Sequence, residues 1–179
     1  MKLAYTTCAK QSGSATAYAL LAHLVRTEYG IALPRIEKTE NGKPFFPDRP
    51  DIHFSLSHTA AHVLCAVSSS PVGVDIEAER VPRAGLERYF CSDEELALFD
   101  WLDLWVLKES CIKLLGGRLL LIKKLRFSRD GDEIIAPDPG VHSRLYRDVA
   151  GCRMAVCALG ESPPAVAELV RPGKILSGY

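Results

Sequence analysis

The sequence predicts an α+β fold built from two similar α+β halves. Helical and strand-like stretches follow one another in the same order twice, a short apolar motif recurs at a fixed offset, and 179 residues suffice for one large or two small domains. The recurring motif is Val63-Leu64-Cys65-Ala66-Val67-Ser68-Ser69-Ser70-Pro71, matched by Ala155-Val156-Cys157-Ala158-Leu159-Gly160-Glu161-Ser162-Pro163, each residue 92 positions later. That offset is close to half the chain, so the expected division is 1–85 and 86–179. Coincidence between two apolar strands is the plainer alternative.

Lys2 to Tyr5 reads as an opening strand. From Ser14, the apolar positions Ala17, Leu20, Leu21, Leu24 and Val25 keep helical spacing, and Gly30 follows as a C-cap. Asn41-Gly42-Lys43-Pro44 is a turn by composition. Ile52 to Leu56 and Val63 to Val67 read as short strands around Ser57-His58, and Val72 to Glu77 as a third. Ser92 ahead of Asp93, Glu94 and Glu95 has the pattern of an N-cap with an acidic first turn. Helical character then runs, with a break near Asp100, to Leu115 and stops at Gly116-Gly117. Strands are expected around Leu125 to Ser128, Glu133 to Ala136 and Arg153 to Leu159, ahead of a loop-rich tail from Ser162.

Lys+Arg and Asp+Glu balance at 22 each, so no global field draws nucleic acid or a membrane surface. The start lacks the apolar run of a signal peptide, and no stretch approaches the about 18 uncharged apolar residues of a membrane span. The expectation is a soluble cytoplasmic protein. The six cysteines, at 8, 65, 91, 111, 152 and 157, form no CxxC pair and read as reduced, buried thiols.

The chemistry concentrates in a split acidic set. In Gly73-Val74-Asp75-Ile76-Glu77, strand alternation puts Gly73, Asp75 and Glu77 on one face, with the glycine leaving room for a ligand beside the backbone. Two neighbouring carboxylates repel unless a cation lies between them, and oxygen-only ligands suit Mg²⁺. An exposed edge strand with solvated acids would look the same. In Trp105-Val106-Leu107-Lys108-Glu109-Ser110-Cys111-Ile112-Lys113, Glu109 and Lys113 lie one helical turn apart. A surface ion pair is the bland reading there, but the helix is too apolar for an exposed one. Three carboxylates and two lysines point to magnesium-dependent phosphate chemistry, with Glu109 able to take a proton or ligate metal and Lys113 to neutralise phosphate. Lys43 sits on a stiff turn, and Ser57 with His58 places two donors to phosphate side by side. A Ser57-His58-Asp75 hydrolase is a poor reading, because adjacent strand residues face opposite ways and no G-x-S-x-G elbow is present. A zinc site from His58, His62 and Cys65 would need helical spacing in a segment that reads as strand.

The order Asn41-Gly42-Lys43-Pro44, Phe54-Ser55-Leu56-Ser57-His58, Val72-Gly73-Val74-Asp75-Ile76-Glu77 and Trp105-Val106-Leu107-Lys108-Glu109-Ser110 with Lys113 resembles the 4′-phosphopantetheinyl transferases. The likeness is to their monomeric surfactin-type branch, over roughly residues 14 to 128. It implies a pseudo-dimer of two α+β halves in a monomeric enzyme, and transfer of the phosphopantetheine arm of coenzyme A to a serine of an acyl or peptidyl carrier protein. By position, Asp75, Glu77 and Glu109 would hold Mg²⁺, with Glu109 also the candidate base and Lys113 on the phosphate under attack. Lys43, Ser57 and His58 would contact the nucleotide end, and Lys108 would flank coenzyme A. Longer members carry a basic helix ahead of the first conserved helix. Here about thirteen residues precede it, with Lys2 and Lys10 their cations, so the expectation is a compact member. A non-catalytic module that binds coenzyme A or carrier proteins is the competing reading, and hydrolysis of a nucleotide pyrophosphate a third. The run Arg118, Lys123, Lys124, Arg126 reads as a solvated hairpin or a greeting surface for an acidic carrier helix.

Overall fold

A computed structural model describes residues 1–9, 12–81, 85, 87–147 and 149–176, so Lys10 lies outside the described residues. Strand β1 (Lys2–Thr7) leads into helix α1 (Gly13–Tyr29), then the short strands β2 (Glu37–Lys38) and β3 (Pro44–Phe45), and then β4 (His53–His58), β5 (His62–Ser68) and β6 (Val72–Ala78). The short helices α2 (Glu87–Phe90) and α3 (Asp93–Leu96) precede the long helix α4 (Trp101–Leu115) and a 3-10 turn at Leu119–Lys123. Strands β7 (Ser128–Asp130), β8 (Glu133–Ile135), β9 (Val141–Tyr146), β10 (Cys152–Leu159) and β11 (Glu168–Leu169) follow, with α5 (Pro172–Leu176) last.

Helix α1 buries Ala17, Leu20, Leu21, Leu24 and Val25, the stripe that its spacing predicts, and ends at Gly30 with a left-handed φ of 69°. Ser92 and Glu95 form the reciprocal bonds of a capping box at α3. Asp100 breaks the helical run, and Gly116 ends α4 with a φ of 63°.

The strands form two main sheets, ordered β11-β1-β5-β4 and β6-β10-β9-β8-β7, beside a β2-β3 ribbon. Alternation gives each sheet two apolar faces. On the first sheet, Ala4, Val63, Cys65 and Val67 meet α1. On the second, Ala155 and Cys157 meet α4. Leu3, Leu64 and Ala66 pack with Val72, Val74, Ile76, Met154 and Val156 between the sheets. The recurring motif forms β5 and β10, each an inner strand of its own sheet.

The sheets exchange strands across the boundary expected at 85/86. β6 pairs in antiparallel register with β10, from Val72↔Ala158 to Ala78↔Cys152, and β11 pairs with β1. β6 is buried over Val72 to Ile76, so its amides need partners on both edges. β10 supplies one edge by its ladder. On the other, the hydroxyls of Ser55 and Ser57 on β4 accept from Val74 N at 3.0 Å and Ile76 N at 3.3 Å. Asp75 and Glu77 therefore stand in the same sheet that α4 covers.

Three further differences have local causes. β9 was not expected from the pattern, because only Val141 and Tyr146 of its six residues are buried. The hairpin expected over the basic run is a 3-10 turn that leaves Leu119 and Leu120 exposed. The strand expected from Leu125 begins only at Ser128, since Leu125 and Phe127 are drawn into the α4 core. No helix among the described residues is long and apolar enough to cross a membrane.

Candidate active site

The site forms where β4, β6 and α4 meet, because each presents a polar position on an otherwise buried face. A cavity of about 370 Å³ is lined by Ser57 and His58 from β4, Asp75 and Glu77 from β6, and Trp105, Glu109 and Lys113 from α4. Six of the eight residues singled out from the sequence thus face one space. A smaller cavity of about 230 Å³ next to it takes Asn41, Gly42 and Lys43 from the turn and shares Leu56 and Lys113.

Gly73 is what lets α4 come close. A Cβ there would lie 2.0 Å from the Ser110 carbonyl oxygen and 2.3 Å from Leu114 N. The room that the sequence assigns to a ligand is therefore filled by the helix backbone. This contact brings Glu109 and Lys113 down onto the acidic face of β6.

Asp75 is 4% exposed. Its Oδ1 accepts from Ser57 Oγ at 2.8 Å and from Lys113 Nζ at 2.7 Å. Its Oδ2 is buried and has no hydrogen-bond partner among the described residues. Glu77 accepts from Trp105 Nε1 at 3.2 Å and from Arg80 Nη1 at 2.9 Å. Burial raises the Glu109 pKa above the ordinary carboxylate value; the charges of Asp75 and Glu77 add to the rise and Lys113 opposes it. Among the described residues, no three His, Cys, Asp or Glu side chains converge into a ready-made metal group. The donor set still fits an oxygen-seeking dication: three carboxylates on one cavity, one of them with an unbonded buried oxygen.

The Ser57 hydroxyl bonds Asp75 directly, with no imidazole between them. The exposed His58 instead packs against the start of α1, where a Cβ on Gly13 would come 2.7 Å from His58 Nδ1. This geometry leaves no Ser-His-Asp relay. Lys43 Nζ donates to the Leu114 carbonyl at 2.6 Å, and burial lowers its pKa. Asn41 Nδ2 donates to Gly116 O at 3.0 Å, so the turn clasps the end of α4.

Lys108 is a correction. It is fully buried, with Nζ 2.8 Å from Glu95 Oε2 and 2.7 Å from Phe90 O, and it lines neither cavity. Its neighbour Glu109 lies about 100° away around the helix, so the two cannot share a face. Lys2 is also committed elsewhere, to Glu168 at 2.5 Å and Glu28 at 3.8 Å. Trp105 enters the site as a donor to Glu77, where the sequence suggested only an anchor for the helix. Arg80 was missed altogether; its spacing of three residues from Glu77 was the available signal.

No family model matches the sequence. Among curated proteins, the chain is 35% identical over 143 residues to 4′-phosphopantetheinyl transferase Sfp of Bacillus subtilis, covering 69% of this chain and 62% of that protein. It is 35% identical over 170 residues to 4′-phosphopantetheinyl transferase psf-1 of Bacillus pumilus, covering 84% of this chain and 71% of that protein. A third, 4′-phosphopantetheinyl transferase gsp of Aneurinibacillus migulanus, is 35% identical over 116 residues, which cover 54% of this chain and 47% of that protein. The chain thus spans less than two thirds of the length of the first and third.

Proposed function

The chain belongs to the 4′-phosphopantetheinyl transferase family, and on that premise we propose that it moves the 4′-phosphopantetheine arm of coenzyme A to a serine of an acyl or peptidyl carrier protein in a Mg²⁺-dependent reaction. The observation that carries this reading is the meeting of Asp75, Glu77, Glu109 and Lys113 with Ser57 and His58 on one cavity.

In this reading the carrier serine oxygen attacks the phosphorus that bears the pantetheine arm. Its proton passes to Glu109, directly or through a water, since that carboxylate lines the cavity beside Asp75, Glu77 and Lys113. A serine–phosphorus bond forms as the pyrophosphate P–O bond breaks, and the electron pair leaves with adenosine 3′,5′-bisphosphate. Lys113 offsets the charge that builds on the phosphate under attack. Bound Mg²⁺, held by Asp75, Glu77 and Glu109, would neutralise the pyrophosphate. Lys43 and His58 suit the nucleotide end, because they flank the adjoining cavity and the N-terminus of α1.

The two helix-backed sheets are read as a pseudo-dimer within one chain, which acts as a cytoplasmic monomer. The placement of the recurring motif on the inner strands β5 and β10 supports the pseudo-dimer. Intact-protein mass spectrometry of an apo carrier protein with this chain, coenzyme A and Mg²⁺ is the test. The expected result is one phosphopantetheine added at the carrier serine; no gain in mass across several carriers overturns the reading.

A further inference from the structure

Two donors of different kinds hold the Glu77 carboxylate. Trp105 Nε1 donates to Oε1 at 3.2 Å, from a side chain that lines the cavity. Arg80 Nη1 donates to Oε2 at 2.9 Å, from outside that cavity. Arg80 instead lines a neighbouring cleft with Glu79, Asp100, Trp101 and Arg153, and its guanidinium carbon lies 5.9 Å from the centroid of the Trp101 ring. Its side chain is 49% exposed, so no packing constraint ties it to Glu77.

We propose that Arg80 is a resident counter-ion of Glu77 that competes with the divalent cation, and that Trp105 positions the same carboxylate for it. The inference rests on the cation-binding role of Glu77 proposed above. Charge separates the two donors. A carboxylate has about four lone-pair sites, so a neutral indole N–H can hold one oxygen while leaving others for a metal. A guanidinium withdraws charge from the carboxylate and repels a dication brought to the same group. Arg80 also keeps a partner once a cation takes Glu77: its guanidinium already lies over the Trp101 ring, and Asp100 lines the same cleft. The same carboxylate is thus aimed by one residue and guarded by another, and the affinity of the site is set by their balance.

The test is Mn²⁺ titration of the full chain, with and without coenzyme A, read by the electron paramagnetic resonance signal of free Mn²⁺. Arg80→Met is expected to tighten Mn²⁺ binding about two- to fivefold, the range that loss of an exposed ion pair allows. Arg80→Lys keeps the charge and should stay near the wild type. Trp105→Phe should weaken binding, because Glu77 is then left to Arg80. Wild-type binding with no tightening in Arg80→Met overturns the Arg80 inference alone. Absence of Mn²⁺ binding by the wild type under both conditions overturns the cation reading beneath it. Arg80 is surface-exposed, so Arg80→Met carries the test even where Trp105→Phe fails to fold.

Discussion

Lys113 Nζ lies 2.7 Å from Oδ1 of Asp75, while Oδ2 of the same carboxylate is buried with no partner among the described residues. One oxygen is satisfied by an ammonium and a serine hydroxyl, and the other is left with its full capacity to accept. Such a group is poorly built for stability and well suited to a ligand that brings positive charge.

Asp75→Ala is therefore expected to abolish transfer while changing stability little. Loss of the carboxylate should cost at least about 100-fold in rate, in line with other charge-stabilising groups. The metal-free protein should shift by no more than about 1 kcal/mol, because the partly exposed Lys113 can turn to water when its buried partner goes, and an unsatisfied oxygen and the repulsion from Glu109 are removed with it. Carrier modification by mass spectrometry and a urea unfolding curve measure the two. A stability loss of several kcal/mol would make Asp75 a structural residue instead.

Glu109 should give the fold a pH dependence of known sign. Its folded pKa is raised, chiefly by burial and then by Asp75, so the folded protein binds more protons than the unfolded chain above the ordinary Glu range. Stability from this group is present at and below the unfolded value and is lost as pH rises through the folded value. Urea midpoints of the metal-free protein should fall with pH across that window, and Glu109→Gln should flatten the fall. The same titration with saturating Mg²⁺ should move the fall to lower pH, because a bound dication favours the ionised carboxylate.

Gly73→Ala should be among the most damaging single changes. Its Cβ would meet backbone atoms of Ser110 and Leu114 at 2.0 Å and 2.3 Å, and neither can rotate away as a side chain would. Helix α4 would have to lift from β6. A loss of about 3 kcal/mol or more is expected in chemical denaturation. Any protein that still folds should show weaker transfer, because Glu109 and Lys113 move with the helix.

Lys108→Met should act on stability and not on coenzyme A. It leaves Glu95 as a buried charge without its ammonium, a loss of about 3–5 kcal/mol. Adding Glu95→Gln should recover part of that loss, so the double variant falls short of the summed singles. Calorimetric titration of the folded fraction with coenzyme A should give the wild-type affinity; a large drop would restore Lys108 to the binding site.

Element types were largely legible in the chain. The stripe of α1, the caps at Gly30, Ser92 and Gly116, and the strands β4, β5, β6 and β10 follow from local periodicity and turn chemistry. β9 was not, because His142 and Arg144 face solvent and leave too few apolar positions to show a period. The residues of the cavity were legible for a related reason. Asp75 and Glu77 share a strand face, and Glu109 and Lys113 share a helix face, so each pair is set by repeat geometry alone.

What the sequence determined by itself was the inventory: three carboxylates, their lysine and their Ser-His partners, each with its local orientation. Only the tertiary structure decided how that inventory is used. It put β6 beside β10, filled the space over Gly73 with α4, turned Lys108 into the core against Glu95, and gave Glu77 to Trp105 and Arg80. The physical reason is range. Periodicity fixes which residues share a face, but the neighbour that a face meets depends on contacts between segments far apart in the chain, and partners such as Lys108 and Glu95 differ only in what happens to lie opposite them.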